Sequence, residues 1–167
     1  MVNLSQSGVA IDGTTIVLNA GGELSVDGEQ ITHINPWNYK TLVSGTWQFQ
    51  QGISSSIPFR VGENANAQNS EIEFPGVYLT AGDYKLIGRM EIGSANAIIT
   101  FSFNGTEKTT LDTYNGSLLT NQRIVSASFN LATSGLYSIH AKAGTKNGSS
   151  SSYGHCWNNT MQIVRQI

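Results

Sequence analysis

In Ile99-Thr100-Phe101-Ser102-Phe103-Asn104-Gly105-Thr106, apolar and polar side chains alternate for five residues and then give way to Asn-Gly. Period-two alternation marks a strand with one face against a core, because successive side chains of an extended chain point to opposite sides. Asn-Gly is the strongest short hairpin signal, since both residues tolerate the positive φ that a two-residue turn requires. The same pattern spreads in both directions. Toward the N-terminus it predicts strands at Ile57 to Val61, Glu71 to Leu79 and Asp83 to Ile92, with the polar stretch 63–70 as a loop. Toward the C-terminus it runs through Val125, Ala127, Phe129 and Leu131, then Tyr137, Ile139, Ala141 and Ala143, and ends in Thr160 to Ile167. No stretch has a helical period. Short strands with Gly, Asn and Asp in the connections predict an all-β protein, with an antiparallel jelly-roll β-sandwich over residues 57–167.

Composition narrows the function. The chain has 167 residues, of which Ser (19), Thr (15), Asn (15) and Gly (18) make up 40%, while charged residues are only 12%. That is half the roughly 25% of an ordinary soluble domain. Nine Lys and Arg against eleven Asp and Glu leave no basic surplus to neutralise phosphates, so nucleic-acid binding is not expected. No apolar run is long enough for a membrane helix, and residues 1–10 lack the basic start and apolar stretch of a secretion signal, so neither membrane insertion nor signal-directed export is expected. A lone cysteine, Cys156, excludes an internal disulfide and reads as a small buried filler.

Upstream of the sandwich the chain repeats itself. Val9-Ala10-Ile11-Asp12-Gly13-Thr14-Thr15-Ile16 matches Leu24-Ser25-Val26-Asp27-Gly28-Glu29-Gln30-Ile31 at a spacing of 15 residues. Each copy is an alternating strand, an Asp-Gly turn and a return strand. A two-stranded unit is marginal in water, and apolar positions fall on both sides of the pattern, with Ile16 and Leu18 beside Val17. Residues 1–35 are therefore expected to be a β-repeat shaft in which identical chains shelter Val9, Ile11, Ile16, Leu18, Leu24, Val26 and Ile31. Residues 36–56, broken by Asn35-Pro36 and Gly45 but anchored by Trp37, Tyr39, Trp47 and Phe49, read as a neck, with Ser54-Ser55-Ser56 as a flexible joint.

The candidate chemistry is sparse. His33, His140 and His155 are scattered without a nucleophile–base spacing, and His155 and Cys156, as neighbours on a strand, face opposite ways. Glu63, Glu71, Glu73, Asp83 and Asp112 form no calcium loop and are read as structural or surface carboxylates. No catalytic residue, metal or other cofactor is expected. The aromatic rings are the functional candidates: Tyr114, Tyr153 and Trp157 fall in loops or at strand starts, where exposed rings can stack on sugar faces while neighbouring amides bond to hydroxyls. The Asn-x-Ser/Thr sequons follow from the abundance of those residues.

Several segments carry a resemblance. Ala81-Gly82-Asp83-Tyr84-Lys85-Leu86, the segment 99–106, Leu111-Asp112-Thr113-Tyr114, Ala132-Thr133-Ser134-Gly135-Leu136-Tyr137, the segment 146–154 and Met161-Gln162-Ile163-Val164-Arg165 resemble successive strands of a jelly-roll module found in virion proteins of tailed bacteriophages. The Asp-Gly repeats resemble the shafts of trimeric viral fibres. This implies a homotrimer located on the virion, a short fibre or capsid decoration held to capsid or tail proteins through its N-terminal segment. The expectation that follows is a non-enzymatic structural protein that contributes to host attachment. The alternative is a carbohydrate-binding receptor-recognition module that contacts host surface glycans through Tyr114, Tyr153 and Trp157.

Overall fold

The computed structural model describes residues 9–11, 14–18, 24–26, 29–38, 41–54, 57–63 and 65–166, with side chains described from residue 31 onward except at 38, 52–54 and 57–58. The strands are β1 (Val9–Ile11), β2 (Thr14–Leu18), β3 (Leu24–Val26) and β4 (Glu29–Ile34), then, after a 3-10 turn at Pro36–Asn38, β5 (Thr41–Ser44), β6 (Trp47–Ser54), β7 (Ile57–Glu63) and β8 (Glu71–Leu79). They continue as β9 (Gly82–Ile92), β10 (Ala97–Phe103), β11 (Thr106–Asp112), β12 (Leu119–Val125), β13 (Phe129–Leu131), β14 (Gly135–Lys146) and β15 (Cys156–Gln166). One sheet has the order β11-β10-β14-β8-β5. The larger sheet is organised around β15, which pairs with β9 along one edge and, along the other, with β7 and then β4. Beyond β9 lie β12 and β13; beyond β7 lies β6. The two sheets form the antiparallel jelly-roll sandwich.

Alternation builds the core. In β10 every second residue, Ile99, Phe101 and Phe103, is buried, and in β14 so are Tyr137, Ile139, Ala141 and Ala143. The facing sheet supplies Tyr84, Leu86 and Met90 from β9 and Trp157, Met161 and Ile163 from β15. Trp157 is 0% exposed and meets the rings of Phe74 and Phe101 edge-on, at centroid distances of 6.3 and 6.1 Å. The Asn-Gly turn lies where its residues require it: Asn104 and Gly105 have φ of 48° and 79° between the paired residues Phe103 and Thr106.

Two segments quoted for their resemblance have local jobs. Thr80-Ala81-Gly82-Asp83-Tyr84 and Thr133-Ser134-Gly135-Leu136-Tyr137 share a Thr-x-Gly-x-Tyr spacing, and in each the buried tyrosine donates its hydroxyl hydrogen to the threonine carbonyl four residues upstream. These are corners that fix how β9 and β14 enter their sheets. The alternating run through 125–131 splits into two strands at Ser126. Its hydroxyl accepts the Leu86 amide hydrogen at 2.9 Å, while its own amide donates to the Leu86 carbonyl, also at 2.9 Å. A side chain thus takes the place of one backbone acceptor in the ladder.

The stretch expected to be a neck puts one strand into each sheet. In it, β5 pairs with β8 and β6 pairs with β7. The alternation Trp47-Gln48-Phe49-Gln50 is the sequence signal of β6. Similarly, the boundary expected at residue 35 falls where β4 hydrogen-bonds β15, with Ile34 opposite Met161 and Ile31 opposite Val164.

The repeats form a meander, with Ile11 opposite Thr14 across Asp12-Gly13 and Val26 opposite Glu29 across Asp27-Gly28. The two-sided apolar pattern expected there is corrected by the register. Val9, Ile16 and Val26 form one cross-strand row and Leu18 faces Leu24, whereas Val17 is paired with Ser25. Because alternate residues share a face, Val9, Ile11, Ile16, Leu18, Leu24, Val26 and Ile31 all belong to one face of the meander. The side chains of the first six lie outside the described residues, as do Tyr39 and the joint at 55–56.

Since Trp157 fills the centre of the sandwich, Trp157→Ala should destabilise the fold by about 3–5 kcal/mol, whereas Tyr114→Ala should cost under about 1.5 kcal/mol. Urea unfolding of the two variants measures the difference.

Candidate functional site

Four loops meet at one end of the sandwich: residues 65–70 between β7 and β8, 93–96 between β9 and β10, 113–118 between β11 and β12, and 147–155 between β14 and β15. Ser, Asn and Gly dominate them, and these residues bond to nearby backbone more readily than they extend a strand. The Ser151 amide and hydroxyl both donate to the Ser94 carbonyl, at 2.8 and 3.1 Å. Ser150 Oγ donates to Asn96 O (2.7 Å), Ser152 Oγ to Asn66 O (3.1 Å), and Asn147 Nδ2 to Asp112 Oδ2 (3.0 Å). Gly154 is required here: a Cβ would lie 2.9 Å from the Ala95 carbonyl and 2.7 Å from Asn96 Oδ1. The loops therefore make one cross-linked plate.

Beside this plate, on the outward side of the larger sheet, lies a pocket of about 370 Å³. Its main polar groups are Gln48, Arg60, Asn66, Glu91, Ser94 and Asn96, and Leu118, 66% exposed, forms an apolar rim. Arg60 is the centre. Its Nε donates to Cys156 Sγ at 3.0 Å, and its terminal nitrogens reach Gln50 Oε1 and Glu91 Oε1, each at 3.4 Å. Burial opposes the guanidinium charge, but Cys156 and Glu91 outweigh it and hold Arg60 above its ordinary value. The Nε bond fixes the plane of the group. The two long outer contacts leave its other N–H donors available to a ligand. Asn96 is held by donating Nδ2 to the Glu91 carbonyl at 2.7 Å.

Cys156 is therefore an anchor for Arg60. Burial first, and Glu91 second, push its thiol up to about 12, so at neutral pH it is an uncharged S–H. His155 turns the other way, its ring 5.0 Å from that of Trp47 and its Nε2 accepting the Trp157 Nε1 hydrogen at 3.0 Å. Complete burial holds His155 down at about 3, against a smaller upward pull from a hydrogen bond with the Ser70 backbone. With Nε2 an acceptor, the neutral ring carries its proton on Nδ1.

The aromatic residues expected to contact glycans are elsewhere. Trp157 is sealed in the core and cannot stack on a ligand, because its strand phase points it between the sheets. Tyr153 is half-buried against the core with Lys146 Nζ 5.2 Å from its ring centre, and Tyr114 is half-buried with its amide donating to Asp112 Oδ1 at 2.9 Å. Neither lines the pocket.

The carboxylates have mostly local partners. Glu63 accepts the amides of Thr46 (3.0 Å) and Ala67 (2.7 Å), and Asp83 accepts from Asn130 (2.8 Å). Glu71 Oε1 is 2.6 Å from His140 Nδ1, and these two border a groove of about 530 Å³ on the outer face of the other sheet; Ser138 Oγ donates to Glu73. Among the described residues no three His, Cys, Asp or Glu side chains converge to hold a metal. Arg60 and Glu91 were not legible as a pair, because they are 31 residues apart and meet only through β15. The charge of Arg60 within the short run Phe59-Arg60-Val61 is the one local signal.

Neither protein-family models nor curated sequences match this chain. Solved structures do. A β-1,3-glucan-binding CBM6 from Bacillus halodurans superposes with a TM-score of 0.55 at 10% identity, covering 81% of this chain and 96% of that one. The C-terminal CBM6 of LamC, a laminarinase of the marine Zobellia galactanivorans, gives 0.53 at 14% identity, covering 81% and 99%. A Paenibacillus xanthan lyase gives 0.63 at 18% identity, covering 97% of this chain but only 18% of the enzyme. What is shared at these identities is the fold.

The pKa of His155 generates a stability prediction. Between about 3 and 6.5 the unfolded imidazole binds a proton that the folded one does not, so stability should fall as pH drops through that window. In urea titrations from pH 7 to pH 4, His155→Gln, which keeps an acceptor for Trp157, should lose less stability than the parent, by about 1–3 kcal/mol.

Proposed function

We propose that this chain is a non-enzymatic carbohydrate-binding module whose ligand sits in the loop-end pocket. The observation that carries this reading is the Arg60–Glu91 pair, held in plane by Cys156 and ringed by Asn66, Ser94, Asn96 and Gln48. A sugar hydroxyl both donates and accepts. A guanidinium beside a carboxylate offers it both partners, and amides and backbone carbonyls on a rigid plate fix which hydroxyl goes where. Leu118 provides an apolar surface for the C–H groups of the ring. The fold shared with a module whose name states β-1,3-glucan binding supports the reading, and so does the neutral-polar composition.

The groove on the other sheet fits less well. His140 and Glu71 bond to one another there, so a ligand would have to break that contact before making its own. No structural observation favours the virion appendage that the resemblance implied.

The test is isothermal titration of the whole chain with laminarin, cellobiose and xylose, followed by a glycan array for a wider choice. Saturable binding is expected for at least one glycan. Arg60→Ala and Glu91→Gln should each weaken it by about 1.5–3 kcal/mol, roughly 10- to 150-fold, because each removes a charge-assisted hydrogen bond. Binding that survives both substitutions, or silence across the array, overturns the proposal.

A further inference from the structure

Asparagine followed by glycine has a covalent chemistry of its own. With no Cβ to shield it, the main-chain nitrogen of the glycine is open to the asparagine side chain and can attack its Cγ. The chain has three such pairs, Asn104-Gly105, Asn115-Gly116 and Asn147-Gly148, all in connections between strands of the sandwich. Attack requires the side-chain amide to swing away from whatever holds it, so the hydrogen bonds at each pair set its reactivity.

Two of the pairs are held at both ends of the amide. Asn104 Oδ1 accepts the Ser138 amide hydrogen at 2.8 Å, its Nδ2 donates to the Leu136 carbonyl at 3.3 Å, and its main-chain amide donates to the Ser138 carbonyl at 2.9 Å. Asn147 Oδ1 accepts from the Ser149 amide at 3.1 Å, its Nδ2 donates to Asp112 Oδ2 at 3.0 Å, and its carbonyl accepts from the Ser150 amide at 2.9 Å. Asn115 differs. Its Nδ2 donates to the Ser117 carbonyl at 2.7 Å, two residues along the same loop, and among the described residues none donates to its Oδ1. Gly116 is exposed, and a Cβ on it would meet nothing within 4 Å, so a ring intermediate and attacking water have open space there.

We infer that Asn115 is a self-modification site, deamidating in the folded protein faster than Asn104 or Asn147. The Gly116 nitrogen bonds to Asn115 Cγ, the Cγ–Nδ2 bond breaks, and the side-chain nitrogen leaves as ammonia with the Gly116 amide proton. Water, the only co-reactant, then opens the cyclic imide at either carbonyl, giving aspartate or isoaspartate. The modification adds a carboxylate to the 113–118 loop, and the isoaspartate form also inserts an extra carbon into its main chain. This loop hangs from Gly93, whose amide donates to the Thr113 carbonyl at 3.1 Å and whose carbonyl accepts the Asn115 amide hydrogen at 3.2 Å, and it ends at Leu118 on the pocket rim. Deamidation thus alters the lip of the Arg60 pocket, but its occurrence does not rest on the glycan-binding reading.

Incubation of the whole chain in mildly alkaline buffer at body temperature, followed by peptide mass spectrometry, tests it. The mass increment of amide-to-acid conversion is expected at residue 115 at least about fivefold faster than at 104 or 147, since one fewer side-chain hydrogen bond has to break. Gly116→Ala has room for its methyl and no positive φ to strain it, so it should slow the reaction severalfold with unchanged circular dichroism. Faster conversion at 104 or 147, equal rates at all three, or a rate that Gly116→Ala leaves unchanged overturns the inference, and so does reaction at 115 in the urea-unfolded chain only.

Discussion

Everything in this molecule is referred to β15. One edge of that strand is committed to β9, and the other is divided between β7 and β4, so a single strand holds three separate parts of the chain in one plane. Its first residues and the one before it do different work. His155 closes the region beneath Trp47 as a neutral ring, Cys156 faces the other way and anchors Arg60, and Trp157 fills the space between the sheets. The strand's far half then carries the β4 meander. A shift of one residue along β15 would exchange Cys156 with Trp157, placing an indole in the pocket and a thiol in the core.

That constraint explains why the pocket depends on polar groups more than on rings. The aromatic side chains of this chain are largely spent on packing: Phe103 with Phe129 and Tyr137, Tyr84 with Phe129, Trp37 with Phe49. What remains at the loop end is hydrogen-bonding capacity held in place by serines and asparagines. A partly buried Arg–Glu pair at 3.4 Å adds little to stability by itself, because desolvation offsets much of the attraction. Its value lies in orientation, since donors already aimed at a ligand cost less entropy on binding.

The segments that resembled a virion module illustrate how a motif can follow from fold mechanics. The two Thr-x-Gly-x-Tyr stretches are strand-entry corners, and the serine-rich 147–154 segment ties three loops together. Any sandwich that turns its strands in this way needs a buried tyrosine with a hydroxyl partner and small polar residues at its loop contacts. Such motifs report architecture, and function has to be argued from the site.

Much of the architecture was legible in advance because it depends on neighbours along the chain. Period-two burial and the Asn104-Gly105 turn follow from extended geometry and from residues that tolerate positive φ, so local sequence determined the all-β class, most strands and that turn. The split at Ser126 escaped that logic, since it rests on a side chain substituting for a backbone acceptor of Leu86, about 40 residues away. The phase of β15 also escaped it: nothing local says that Trp157 is interior and Cys156 exterior. The pairing of Arg60 with Glu91 and Cys156 and the joining of 41–54 to the sandwich were decided by tertiary structure alone. Each depends on which strands lie side by side and in what register, and cross-strand pairing brings together residues that sequence distance keeps apart.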